Sequence, residues 1–90
     1  MLTKNQQEFL LLLLKKKLSR HDVNLFDTRA AFSRMAGYLQ KNRFIQSEYD
    51  GKGMKYYTLT MKGEALALMI NTLSDVNIDK IEKEGLSSQS

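Results

Sequence analysis

The sequence predicts a mainly α-helical domain with one small β-hairpin (α+β), in the order helix, helix, strand, strand, helix. Three observations predict it. Apolar residues recur at helical spacing in three separate windows. Between the second and third, two short runs rich in aromatic and β-branched residues flank Asp50-Gly51-Lys52-Gly53. The chain has 90 residues and is 42% hydrophobic, enough for one modest core and too apolar for a disordered tail. A single domain is expected over residues 1–84, with residues 3–18 and 60–84 as its dimerisation elements. Residues 85–90 are expected to form a frayed polar tail.

Thr3 followed by Gln6 has the spacing of a capping box, so the first helix is expected to start near Lys4 and run to about Leu18. On a helical wheel Leu10, Leu13 and Leu14 share one side, flanked by Phe9 and Leu11. Leu12 falls opposite, among Asn5, Glu8, Lys15 and Lys16. Two readings fit Leu12: a single exposed leucine, which is ordinary, or a subunit contact. Residues 19–27 show no sustained period and read as a connection, with room for a brief extended piece at 23–25.

Asp27 or Thr28 can cap the second helix, expected over about 28–42. Phe32, Met35, Ala36 and Leu39 follow the i, i+3, i+4, i+7 rule and form its buried stripe. Ala30, Ser33, Arg34, Gly37 and Lys41 lie opposite. The runs 44–49 and 54–59 form the hairpin, with Ile45 and Leu59 inward and Glu48 and Tyr56 outward. Of the adjacent tyrosines Tyr56 and Tyr57, one is expected in the core and one at the surface. Thr60 caps a third helix over about 61–73, whose apolar arc is wide: Met61, Ala65, Leu68 and Met69, then Leu66, Ile70 and Leu73. So much apolar surface packs against more than one body, and in a short chain the second body is expected to be another subunit. Residues 75–84 are expected to add a short helix or extend the third one, with Ile78 and Ile81 on one side and Gly85 as its stop.

Composition excludes several chemistries. There is no cysteine, so disulfides, thiolate metal sites and cysteine nucleophiles are out, and one histidine builds no metal site. The longest apolar run, residues 9–14, is far short of the roughly 20 needed to span a bilayer. It leads into Lys15, Lys16 and Lys17 with no cleavage site, so no signal peptide is read and the cytoplasm is expected. No phosphate-binding glycine loop, nucleophile elbow or paired-carboxylate motif is present, so neither an enzyme nor a cofactor is expected.

Charge points to a polyanion. The pI is near 9.4. Residues 29–62 carry seven basic side chains against two acids, a net +5 that exceeds the +4 of the whole chain. On the second helix the small residues Ala30, Ser33 and Gly37 allow close backbone approach, and Arg34 and Lys41 flank them. A major groove about 12 Å wide admits such a helix. Arg34 suits a bidentate guanine contact, Ser33 a base or a phosphate, and Arg29 the backbone, with Arg43 also counted among the DNA-binding residues. A mid-helix glycine costs about 1 kcal/mol relative to alanine, so Gly37 needs a reason: a close partner, or packing against another helix. Lys52 and Lys55 at the hairpin tip suit phosphates or a minor groove, although lysine there also guards a sheet edge.

Two phrases carry a resemblance. The stretch FSRMAGYLQKNRFIQ resembles the recognition helix and following strand of winged helix-turn-helix regulators, with Phe32, Ser33, Arg34, Ala36, Leu39, Phe44 and Ile45 at matching positions. The stretch YYTLTMKGEALA is similar to their strand-to-helix junction, where Leu59, Thr60, Lys62 and Gly63 match a Leu-Thr-x-Lys-Gly phrase. The resemblance covers about residues 28–73, and small MarR-like or PadR-like regulators and archaeal or viral winged-helix proteins are nearest. It implies a second helix in the major groove and a hairpin that serves as the wing.

The chain departs from that pattern twice. Arg43 stands where a glycine is usual, and only residues 19–27 are available for the helix that normally precedes the recognition helix, which is expected to be very short or replaced by an extended segment.

The expectation is therefore sequence-specific binding of double-stranded DNA by a homodimeric transcriptional regulator. Its dimer contact would involve Leu12, Leu66, Ile70 and Leu73. Two alternatives stand beside it: a winged-helix module that binds protein, and a replication or architectural DNA-binding protein of a plasmid or virus. No effector pocket is legible in the residues.

Overall fold

The computed structural model describes residues 2–24 and 28–73 of the protein. Its elements are α1 (Lys4–Leu13), a one-turn 3-10 helix (Arg20–Asp22), α2 (Arg29–Lys41), β1 (Ile45–Tyr49), β2 (Lys55–Leu59) and α3 (Met61–Leu73). The expected cap at Asp27, Leu25 of the expected extended piece, the helix over 75–84 with Ile78 and Ile81, its stop at Gly85 and the tail all lie outside the described residues.

Each helix begins where its local signal places it. Thr3 Oγ1 accepts from the Gln6 N–H at 3.2 Å and Gln6 Oε1 accepts from the Thr3 N–H at 2.8 Å, closing the capping box of α1. Thr28 caps α2, its hydroxyl accepting from the Ala31 N–H at 3.0 Å. The connection holds a second capping box, Ser19 with Asp22, that winds the 3-10 turn. Val23 behind it is extended, with φ −123° and ψ 132°. The described helical content of the connection is a single 3-10 turn.

The first helix ends at Leu13, not near Leu18, and that changes its wheel. Lys15 and Lys16 lie past the helix end and share no face with Leu12. Five consecutive residues, Phe9 to Leu13, are buried, and Leu12 is 1% exposed. A helix apolar all round is one surrounded by the fold. Here α3 and β2 pack on α1, and Phe9 meets Phe32 of α2 and Tyr57 of β2 edge-on at 5.6 and 6.2 Å. The expectation of an exposed Leu12 available to a second subunit is therefore corrected: it is core.

The strands pair antiparallel with Ile45 opposite Leu59 and Glu48 opposite Tyr56. Ile45 and Tyr57 face the core, and Glu48 and Tyr56 lie on the outer face, as alternation requires. A third strand-like contact was not legible: Leu18 exchanges both backbone hydrogen bonds with Tyr57, at 2.8 and 3.2 Å. It pins the end of the α1 connection, and with it the 3-10 turn, to β2.

The junction of α2, β1 and α3 explains the Leu-Thr-x-Lys-Gly phrase. At the end of α2 the Phe44 N–H donates to Leu39 O (2.9 Å) and the Arg43 N–H to Gln40 O (3.0 Å), a Schellman closure. Its left-handed position, φ 61°, falls on Arg43. Thr60 Oγ1 donates to the Arg43 carbonyl while accepting from the Gly63 N–H at 3.0 Å, and so caps α3. Lys62 Nζ donates to Asn42 O at 3.0 Å and lies 4.7 Å over the Phe44 ring. Gly63 meets the Phe44 carbonyl so closely that a Cβ there would stand 1.7 Å from its oxygen. The phrase is a clamp between two helix ends. No helix of the described residues is long and apolar enough to cross a membrane.

Candidate nucleic-acid interface

Burial of Phe32, Met35, Ala36 and Leu39 fixes the rotation of α2, and so decides what its other side presents. Arg29, Ala30, Ser33, Arg34, Gly37 and Lys41 are all exposed. A Cβ added at Gly37 would meet nothing within 4 Å, so no packing inside the described chain accounts for the glycine. The strip is low along Ala30, Ser33 and Gly37, with Arg34 and Lys41 standing beside it. Tyr38, also exposed, extends the strip past Arg34 and was not picked out from the sequence.

The hairpin runs back along α2, and Gln40 Nε2 donates to Ser47 Oγ at 3.4 Å midway. Its tip is therefore carried to the N-terminal half of α2. Asp50 organises that tip: its Oδ1 accepts from the Lys52 and Met54 N–H groups at 2.8 and 2.9 Å, and Gly53 supplies the left-handed φ of 82°. Lys52 points from the exposed tip. Lys55, expected beside it, is half-buried, with its ammonium 5.3 Å over the Tyr57 ring. The two lysines thus serve different places.

Between α2, the 3-10 turn and the hairpin tip lies a cleft of about 340 Å³. Ser33 lines it from α2, Arg20 and His21 from the turn, and Tyr49, Met54 and Lys55 from the hairpin, over a floor of Phe32 and Tyr57. Sequence reasoning found Ser33 and Lys55 but missed Arg20, His21, Tyr49 and Met54. The one signal was the basic cluster Lys15, Lys16, Lys17 and Arg20, which continues beyond the first helix. Lys17 is directed elsewhere: it pairs with Glu48 at 3.7 Å and covers the Tyr56 ring on the hairpin's outer face.

Arg43 stands apart from this cluster. It sits at the far end of α2, beside the Lys62 clamp, about 20 Å from Arg29 by helix length. Arg34 and Lys41 bridge the interval. The cationic surface is therefore a track along α2 that widens where the hairpin tip and the 3-10 turn meet it.

A second surface is of another kind. Leu66, Ile70 and Leu73, the residues expected at a subunit contact, come together with Leu2, Gln7 and Met69 around a groove of about 380 Å³ between α1 and α3. Along α3 Met61, Leu68, Met69 and Leu73 are 93%, 51%, 57% and 79% exposed. Comparison with protein-family models, curated proteins and solved structures returns no match.

Proposed function

We propose that the protein is a winged-helix DNA-binding protein, with α2 as the recognition helix in the major groove and the hairpin as the wing. The observation that carries this reading is the outer side of α2. Its glycine is open to solvent, its neighbours are small, and cations flank it. A solvated helix face gains nothing from Gly37 and loses helix stability through it, whereas a helix that must approach base edges gains clearance. Arg34 is placed to read a base. Lys41, Lys52, Arg29 and Arg43 supply sequence-independent attraction to phosphates.

The protein acts as a homodimer through the apolar side of α3, which places two recognition helices on half-sites about one turn, roughly 34 Å, apart. Transcriptional regulation in the cytoplasm, without catalysis, is the role that suits such a dimer. Selection of duplexes from a random pool, followed by binding at several salt concentrations, tests the reading. A two-fold motif and affinity falling steeply with salt are expected. Arg34→Ala should erase preference at one base pair, about 1–3 kcal/mol of discrimination, in that same assay. Retention indifferent to salt, with no motif, would instead favour a module that binds protein.

A further inference from the structure

The cleft between α2, the 3-10 turn and the hairpin tip combines chemistries that neither side holds alone. Its floor is aromatic, Phe32 and Tyr57 meeting edge-on at 5.7 Å. Arg20, Lys55 and Ser33 line it beside that floor, with the Lys55 ammonium 5.3 Å over the Tyr57 ring. Among the described residues no carboxylate lines it. Asp22, the nearest acid in sequence to Arg20, is occupied by the Ser19 N–H and hydroxyl at 2.9 and 3.1 Å. Asp50 is turned into the hairpin tip to hold two backbone N–H groups. A rim with two cations and no described carboxylate, over an aromatic floor, suits an anion with a compact apolar portion beside it.

We propose that this cleft holds one sugar-phosphate unit of the DNA backbone. The phosphodiester lies between Arg20 and Lys55 and the deoxyribose rests against Tyr57 and Met54. This rests on the DNA reading above and adds to it a site on the 3-10 turn. Position selects a duplex strand over a free anion. The cleft lies between Ser33, on the strip that enters one groove, and the hairpin, which flanks the next. The strand dividing two grooves must cross it. Arg20 provides the forked donor that matches phosphate oxygens, and Lys55 a point charge already held at the cleft by the Tyr57 ring. Ser33 then serves the backbone, leaving base reading to Arg34.

Because Arg20 and Lys55 share one phosphate, their contributions to counterion release count once per subunit. Arg20→Ala, Lys55→Ala and the double variant should each weaken binding to all sequences alike. The double variant should flatten the log–log salt slope by no more than about 0.9 for each bound subunit. One neutral methylphosphonate placed at successive positions should, at a single position per half-site, make wild type and the double variant bind equally. Thermal melts of all three variants confirm that they are folded.

Wild-type binding that depends on salt, with a folded double variant indistinguishable from it, overturns the inference and leaves the DNA reading standing. A slope change near twice 0.9 per subunit overturns the shared phosphate. Failure of wild type to bind duplex at all overturns the DNA reading and this inference together.

Discussion

The outer sides of α2 and α3 are both exposed, both helices are 13 residues long, and they share one junction, yet they are chemical opposites. The α2 side is low, cationic and has a bare backbone at Gly37. The α3 side is covered by Met61, Leu68, Met69 and Leu73 and, apart from Lys62 and Glu64 in its first turn, carries no charge. Water tolerates the first without cost and the second poorly, since exposed apolar area costs about 25 cal/mol per Å² relative to burial. The difference teaches that exposure alone does not define a site. One side has the clearance and charge for a polyanion, and the other has apolar area that a second copy of the chain can cover.

The strongest way to break this pairing is at the junction that orients the two helices. Gly63→Ala puts a methyl group into the Phe44 backbone carbonyl, where nothing flexible can yield. It should cost at least about 3 kcal/mol, read as a large fall in the midpoint of denaturant unfolding. A near-neutral result would mean that α3 is free to move relative to β1, and the fixed relation of the two sides would be lost with it.

A change on the apolar side alone should separate assembly from folding. Leu68→Glu with Leu73→Glu removes no core contact, because both side chains are exposed. Sedimentation should report a folded monomer, and its footprint should shrink to one half-site. A variant that stays dimeric would place the subunit contact elsewhere.

Smaller effects sharpen the α2 side. Gly37→Ala should raise helix stability by about 1 kcal/mol, since the site is open, while lowering duplex affinity. A gain in both would mean that the backbone never approaches DNA, and the glycine would be left without a reason. Arg43→Gly is the mildest test. Relief at φ 61° is partly offset by the greater freedom of glycine when unfolded, leaving a gain of up to about 1 kcal/mol in a thermal melt. Affinity for DNA should fall by about one phosphate contact's worth if Arg43 meets the backbone.

What was legible in the sequence was local. Thr3 with Gln6, Thr28 and the Asp50–Gly53 turn act on backbone groups within four residues, as does Thr60 in capping α3. Residue type at short spacing suffices to place them, whereas the Thr60 bond to the Arg43 carbonyl spans 17 residues. The stripe of α2 was equally readable, because a helix packed on one side only shows its period plainly, and with it came the exposed strip Ala30, Ser33, Arg34, Gly37 and Lys41. The α1 wheel misled for the complementary reason. The last turns of α1, residues 9–13, are enclosed on all sides and have no polar residue to set the phase, and Leu12 was assigned to the surface by lysines that lie beyond the helix end.

Chain-distant contacts were decided only by the tertiary structure. The pairing of Leu18 with Tyr57 joins residues 39 apart in sequence and carries Arg20 to the edge of the α2 strip. The turning of Lys55 onto Tyr57 and the approach of Gly63 to the Phe44 carbonyl likewise depend on how elements stack, which no local period encodes. The sequence by itself determined the elements, their order and the outward side of α2, since propensity, capping and periodicity are short-range. The clamp, the cleft and the separation of the cationic track from the apolar side belong to the fold, since each needs atoms that only packing brings together.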